Sequence, residues 1–193
     1  IVSSAITPRI AVVVGTRPEA IKMAPVYLRL REDPRTDPLL LATAQHRQML
    51  DQVLSVFGIE PDVDLDLMQP NQSLAQVTAG VVQGVQQTLA DTRPDAVLVH
   101  GDTLTCLCAA LAAFYERIPI GHVEAGLRTY DFDAPWPEEM CRRLADPICR
   151  WCFAPTPGSA DNLRSERIPE SAIHVTGNTV IDALGRARAL VRQ

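Results

Sequence analysis

The sequence predicts an α/β protein built on a doubly wound, Rossmann-like parallel sheet, and three observations lead to this fold class. Short apolar segments alternate with segments of helical periodicity along most of the chain. Residues 96–100 are nearly all apolar, as in strands buried on both faces of a parallel sheet. Polar residues directly follow several of the predicted strands, at the edge where open α/β sheets bind ligands.

The predicted elements follow one another as βα units. Residues 9–14 form a β-branched strand that ends at Gly15, and residues 18–30 have helical periodicity. Because helices of this length make crossover connections, the strands should run parallel. Further strands are predicted at 39–43, 96–100, 120–124, 151–154 and 173–176, and further helices at 47–57, 74–89, 104–116 and 179–191.

Length and composition limit the class of protein. A chain of 193 residues, 47% of them hydrophobic, can bury a core of its own. The net charge of -5 argues against a nucleic-acid partner but leaves room for a small anion held by a few cations. No segment approaches the roughly 20 apolar residues that span a bilayer, and residues 1–7 lack the features of a secretion signal. We therefore expect no membrane association and a cytoplasmic location.

Four of the five cysteines form a C-x-C pair and a C-x-x-C pair, a spacing also found in zinc sites. Cys106 and Cys108 lie in a predicted helix, in which positions i and i+2 do not share a face. Cys149 and Cys152 lack the sequence context of a redox motif. We interpret the cysteines as small buried thiols and predict no metal site.

The turn after the first strand has the composition of an anion site. Gly15 ends the strand and Pro18 lies near the first helical position, so the helix begins at the ligand edge of the sheet. Free N–H groups at a helix start favour phosphate, and Arg17 and Lys22 would add positive charge. The alternative is a tight turn with solvated charges. The absence of a G-x-G-x-x-G sequence disfavours a dinucleotide cofactor.

Three carboxylates are candidates for proton transfer. Asp102 follows a buried strand, where an aspartate could equally cap the next helix. Glu124 ends another buried strand, with an ion pair to Arg128 as its structural alternative. Glu138 and Glu139 follow two prolines, where acidic residues could simply complement a helix dipole.

Six segments, in this order, resemble the non-hydrolysing UDP-N-acetylglucosamine 2-epimerase family. They are GTRPEAIK at 15–22, QHR at 45–47, HGDT at 100–103, HVEAGLR at 122–128, PWPEE at 135–139 and TGNTVIDA at 176–183. The resemblance covers nearly the whole chain. One departure is Cys141, which stands where the family commonly has an asparagine.

The resemblance implies one half of a two-domain, GT-B-like epimerase that holds its substrate between the domains. Residues 1–178 would form the N-terminal domain, and residues 179–193 a helix leading toward a second domain absent from this sequence. The family interconverts UDP-N-acetylglucosamine and UDP-N-acetylmannosamine by eliminating UDP and adding it back, without a cofactor. The implied full-length protein is a homodimer, with products that enter surface polysaccharides. We expect little turnover from the 193-residue chain alone.

The resemblance also implies roles for particular residues. Asp102, Glu124 and Glu138 match the family's catalytic carboxylates, and which of them takes the proton stays open. Arg17 and Lys22 match residues that bind phosphate or stabilise the leaving group. The positions that match a binding site for an activating second substrate molecule are Gln45, His46 and Gln48. Two alternatives remain, a hydrolysing epimerase and a nucleotide-sugar-binding remnant without catalysis.

Overall fold

A computed structural model describes residues 7–43, 47–67, 69 and 71–191, in which strands and helices alternate. The strands are β1 (Arg9–Val14), β2 (Asp37–Ala42), β3 (Val63–Asp64), β4 (Ala96–His100), β5 (Ile120–Val123), β6 (Trp151–Ala154) and β7 (Ile173–Val175). The helices are α1 (Arg17–Glu32), α2 (Arg47–Val56), α3 (Leu74–Thr92), α4 (Leu104–Tyr115), α5 (Glu138–Ala145), α6 (Pro157–Ser165) and α7 (Val180–Val191). Short 3-10 turns occupy Asp146–Ile148 and Glu170–Ala172.

The described strands form one parallel sheet in the order β3-β2-β1-β4-β5-β6-β7. From β1 the chain builds outward through β2 to β3, then returns to add β4 on the other side of β1. The strand order therefore reverses between β1 and β4, where the carboxyl ends of a doubly wound sheet leave a crevice. The predicted fold class is confirmed.

The sheet is buried on both faces because alternate side chains of each central strand enter different cores. Val13 packs with residues of α3 and α4, whereas Val12 and Val14 pack with residues of α1 and α2. This two-sided burial explains the continuous apolar runs that identified the strands. Among the described residues, no helix is long and apolar enough to cross a membrane.

Side-chain caps fix where the helices begin at the carboxyl edge of the sheet. Thr16 and Glu19 form a capping box at the start of α1. Thr103 caps α4 by accepting a hydrogen bond from the N–H of Cys106. Asp102 is therefore not the helix cap, and the capping interpretation of that residue is wrong.

Elements β3, α5 and α6 are absent from the sequence-based prediction. A strand of two residues carries no periodic signal, and both helices are short and largely polar. The predicted strand 120–124 ends one residue early, because Glu124 has a φ of 67° in the left-handed region.

Candidate active site

The loops at the carboxyl edge bring together residues from distant parts of the chain. Gly15 and Thr16 follow β1, Asp102 lies just beyond β4, Glu124 follows β5, and Asn178 lies beyond β7. Strands β4 and β5 are paired in register, with His100 opposite Val123, so Asp102 and Glu124 leave the sheet from neighbouring strands. The edge that topology assigns to ligands therefore carries both carboxylates.

Glu124 lies at the centre of a cluster of polar side chains. Lys22 Nζ on α1 donates to both carboxylate oxygens of Glu124, at 2.6 and 2.7 Å. Asn178 Nδ2 donates to Oε2 at 2.8 Å. His100 Nε2 lies 3.8 Å from the same oxygen. The expected ion pair of Glu124 is thus made by Lys22, which is 102 residues away in the sequence, and not by Arg128.

These neighbours keep Glu124 ionised. Burial alone would raise the pKa of the carboxyl group, but the approach of His100 and the contacts from Lys22 outweigh it and lower the pKa to about 2. Of the residues that the structure describes, Lys22 and Asn178 are the ones within hydrogen-bonding distance of this carboxylate. In this arrangement Glu124 is a firmly held anion and a weak proton acceptor.

Glu19 joins the turn after β1 to the turn after β4. Its Oε2 accepts from the N–H groups of Gly15 and Thr16, both at 2.7 Å, and its Oε1 accepts from the hydroxyl of Thr103. Gly15 cannot carry a side chain, because a Cβ there would lie 2.5 Å from the hydroxyl of Thr43. The Gly15 turn and the Asp102 turn are therefore held in one fixed arrangement, and the N–H groups of Gly15 and Thr16, which the sequence analysis expected to be free for phosphate, are already paired with Glu19.

Asp102 is connected to α5 through Arg142. Arg142 Nη1 lies 3.3 Å from Asp102 Oδ2, and Arg142 Nε donates to the buried Glu139 at 2.6 Å. Glu139 also accepts from the N–H groups of Thr129 and Tyr130. Burial would raise the pKa of Glu139, but these donors lower it. Glu139 is thus a support of the loop, while the partly exposed Glu138 begins α5.

Arg128 belongs to a second, largely buried network next to the site. It contacts Asp146 at 2.6 Å and Glu166 at 2.7 and 2.8 Å. Asp146 in turn contacts His122 Nδ1 at 2.6 Å, and His122 Nε2 lies 2.7 Å from the carbonyl oxygen of Gly101. The network therefore contacts Gly101, the residue before Asp102, and fixes the turn that carries Asp102. No local sequence pattern predicts this network, because its members lie far apart in the chain.

The remaining predicted site residues are Arg17, Gln45, His46 and Gln48. Arg17 is exposed at the first position of α1, beside the Lys22 cluster. Gln45 and His46 lie outside the described residues, as does the side chain of Gln48. The cysteines are free thiols, with burial raising the pKa of Cys108 to about 11. Among the described residues, no group of three potential ligands could hold a metal ion.

Fold and site together define a class of protein, a doubly wound α/β domain with acid-base and cationic groups at its ligand edge. The model of one family, described as UDP-N-acetylglucosamine 2-epimerase, matches residues 28–193. The chain belongs to this family.

Sequence relatives and solved structures agree with that assignment. UDP-N-acetylglucosamine 2-epimerase of Neisseria meningitidis is 56% identical over 176 residues, which cover 91% of this chain and 47% of the relative. The protein of the same name from Escherichia coli K12 is 54% identical over the same shares. The chain thus spans about half the length of the curated relatives it matches.

The fold is shared with solved epimerases. A crystal structure of UDP-GlcNAc 2-epimerase from N. meningitidis bound to UDP-GlcNAc gives a TM-score of 0.92 at 53% identity, covering 95% of this chain and 50% of that chain. The enzyme from Methanocaldococcus jannaschii, in complex with UDP-GlcNAc and UDP, gives 0.87 at 34% identity, covering 92% and 49%. A lipopolysaccharide galactosyltransferase gives 0.64 at 16% identity, covering 88% and 45%, a likeness of fold alone.

Proposed function

We propose that this chain is the N-terminal part of a non-hydrolysing UDP-N-acetylglucosamine 2-epimerase. The observation that carries the proposal is the Lys22–Glu124 pair, at 2.6 Å, on the ligand edge of the sheet. It places a candidate proton acceptor directly beside a cation that can attract a diphosphate. Family membership and the ligands named for the solved relatives support UDP-N-acetylglucosamine and UDP-N-acetylmannosamine as substrates.

The chemistry demands both kinds of group. The hydrogen on C2 of this sugar is not acidic, so the proposed route eliminates UDP, which removes the C2 proton and breaks the bond from C1 to the diphosphate. UDP then adds back to the face of C1 that it left. A proton is delivered to the face of C2 opposite to the one that lost its proton, which gives the epimer. Asp102, Glu124 and Glu138 are the proposed proton-transfer groups. Arg17 and Lys22 stabilise the charge on the leaving diphosphate.

Several further features belong to this proposal. Residues 1–178 form the N-terminal domain, and residues 179–193 are the helix that leads toward a second domain with the remaining substrate contacts. Gln45, His46 and Gln48 bind an activating second substrate molecule. The complete enzyme is a cytoplasmic homodimer that supplies surface polysaccharide synthesis.

Turnover in deuterated water tests the proposal. The chain is assayed alone and fused to the part of the N. meningitidis relative that this chain does not cover, with UDP-N-acetylglucosamine as substrate. We expect the fusion to form UDP-N-acetylmannosamine with deuterium at C2 and the chain alone to show little turnover. Asp102→Asn, Glu124→Gln and Glu138→Gln in the fusion should each lower kcat by about 100-fold or more, whereas Asp161→Asn, at an exposed position, should not.

The products separate the alternatives. Free N-acetylmannosamine and UDP would indicate a hydrolysing epimerase. Binding of UDP-N-acetylglucosamine by a folded fusion, without deuterium incorporation, would contradict the epimerase proposal and indicate a binding protein.

A further inference from the structure

Lys22 is chemically unusual in this chain. It is the only lysine of the sequence, and all other cationic side chains except the histidines are arginines. A guanidinium binds a carboxylate through a rigid fork, whereas an ammonium is a compact charge that changes partners readily. The side chain of Lys22 is 24% exposed, so it can reach a ligand as well as Glu124.

His100 is a second, unused partner for Glu124. Its side chain is 4% exposed, and neither ring nitrogen has a hydrogen-bond partner among the described residues. A buried polar group without a partner is costly. The gap of 3.8 Å between His100 Nε2 and Glu124 Oε2 is about 1 Å longer than a hydrogen bond. A small movement of either side chain would therefore close it.

We propose that Lys22 and His100 are alternative partners of Glu124, and that an anionic diphosphate draws Lys22 away while His100 takes its place. The inference rests on the proposed function, in which Glu124 exchanges a proton with the substrate. His100 is then a positioning residue that acts through Glu124.

The exchange would allow Glu124 to stay fixed in position and still accept a proton from the substrate. With the Lys22 ammonium at 2.6 Å, the carboxylate is fixed in its ionised form, which makes it a weak proton acceptor. A neutral imidazole N–H holds a carboxylate with less effect on its basicity than an ammonium does. The charged or titratable groups facing Glu124 in the described part are Lys22 from α1 and His100 from β4, and Asn178 contributes a neutral amide. Anion binding thereby makes Glu124 more basic without releasing it.

NMR on the 193-residue chain tests the exchange without requiring turnover. Lysine labelled with nitrogen-15 gives a single side-chain signal, that of Lys22, and UDP at millimolar concentration serves as the anion. We expect this signal to move on addition of UDP. The carboxyl pKa of Glu124, followed by carbon-13, should rise by about one to two units in Lys22→Met. The Nε2-bound proton of His100 should shift downfield in that variant, as its hydrogen bond to Glu124 forms.

The effect of replacing His100 is compared with and without Lys22, because this comparison separates an exchange of partners from a merely structural role of His100. In Lys22→Met, adding His100→Leu should raise the Glu124 pKa by about one further unit, and His100→Gln, which keeps an N–H donor, should restore much of the difference. In the parent chain, His100→Leu should change this pKa far less. Equal effects in both backgrounds, or an unchanged His100 signal in Lys22→Met, would overturn the alternation.

The displacement of Lys22 by diphosphate is tested separately, by the NMR signal of Lys22. A Lys22 signal that UDP leaves unmoved would overturn the displacement of Lys22 by diphosphate. Because none of these signals depends on catalysis, they separate failure of the exchange from failure of the epimerase, which shows as missing deuterium incorporation in the fusion.

Discussion

Two buried histidines on neighbouring strands have opposite surroundings. His122 on β5 contacts Asp146 at 2.6 Å and the carbonyl of Gly101 at 2.7 Å. His100 on β4 has no hydrogen-bond partner among the described residues and faces Glu124 across 3.8 Å. A buried group with every hydrogen bond made holds its neighbours in place, whereas a buried group without partners remains free to form a new contact.

The partners of His122 also determine its charge. Both Asp146 Oδ1 and the Gly101 carbonyl are acceptors, so both ring nitrogens must carry a proton. Burial opposes this charge, but Asp146 outweighs it and raises the pKa of His122. Burial likewise opposes ionisation of Asp146, and His122 and Arg128 lower its pKa. With Glu166, the network holds two positive and two negative groups, which makes its burial tolerable.

The largest expected effect is therefore on stability and comes from the His122 network. Asp146→Asn keeps the shape of the side chain but leaves His122 and Arg128 without their buried anion. We expect the free energy of unfolding, measured with urea, to fall by about 3–5 kcal/mol. The control Asp161→Asn, which removes an exposed partner of Arg164, should leave it unchanged within error. A loss below about 1 kcal/mol would mean that the network does not carry a buried charge.

A smaller effect should appear in the dependence of stability on pH. The stabilisation from His122 is complete below its ordinary pKa of 6.5 and is lost as the pH rises through its raised folded value. The stabilisation from Asp146 and Glu124 is complete above their ordinary values and is lost as the pH falls through their lowered ones, about 2 for Glu124. We expect urea unfolding to be hardest at about pH 5–6.

The variant Asp146→Asn tests which group causes the loss of stability at alkaline pH. In this variant His122 has no anion to favour its charged form, so the decline in stability above about pH 6.5 should disappear. A decline that persists in Asp146→Asn would assign it to another group.

The Glu124 cluster and the His122 network also differ in how far the sequence predicts them. The apolar strands, the Gly15 turn and the positions of Asp102 and Glu124 follow from local patterns, because strand ends and helix starts have local signals. The partner of Glu124 could not be predicted in this way, because Lys22 meets it only through the pairing of distant strands. Asp146 is a single polar residue in a 3-10 turn, and only tertiary packing shows that it is fully buried.

The smallest expected change in stability comes from the Glu124 cluster and completes the comparison. Glu124→Gln, like Asp146→Asn, removes one negative charge from a carboxylate with two donors. In Glu124→Gln, the cation left without its partner is Lys22, which is partly exposed and can be solvated by water. The glutamine is neutral, so folding no longer requires an anion to be desolvated at this position.

We expect Glu124→Gln to lower the free energy of unfolding by about 1–3 kcal/mol, less than Asp146→Asn does in the same urea experiment. The Lys22 NMR signal should become independent of titration at position 124, while backbone amide signals of the sheet stay in place. A loss as large as that of Asp146→Asn would show that both networks are structural, and Glu124 would then be bound too firmly to change partners. A small loss, together with failure of the same variant in the turnover assay, would assign the two neighbouring strand ends to different tasks: one holds the Asp102 turn, and the other exchanges the proton.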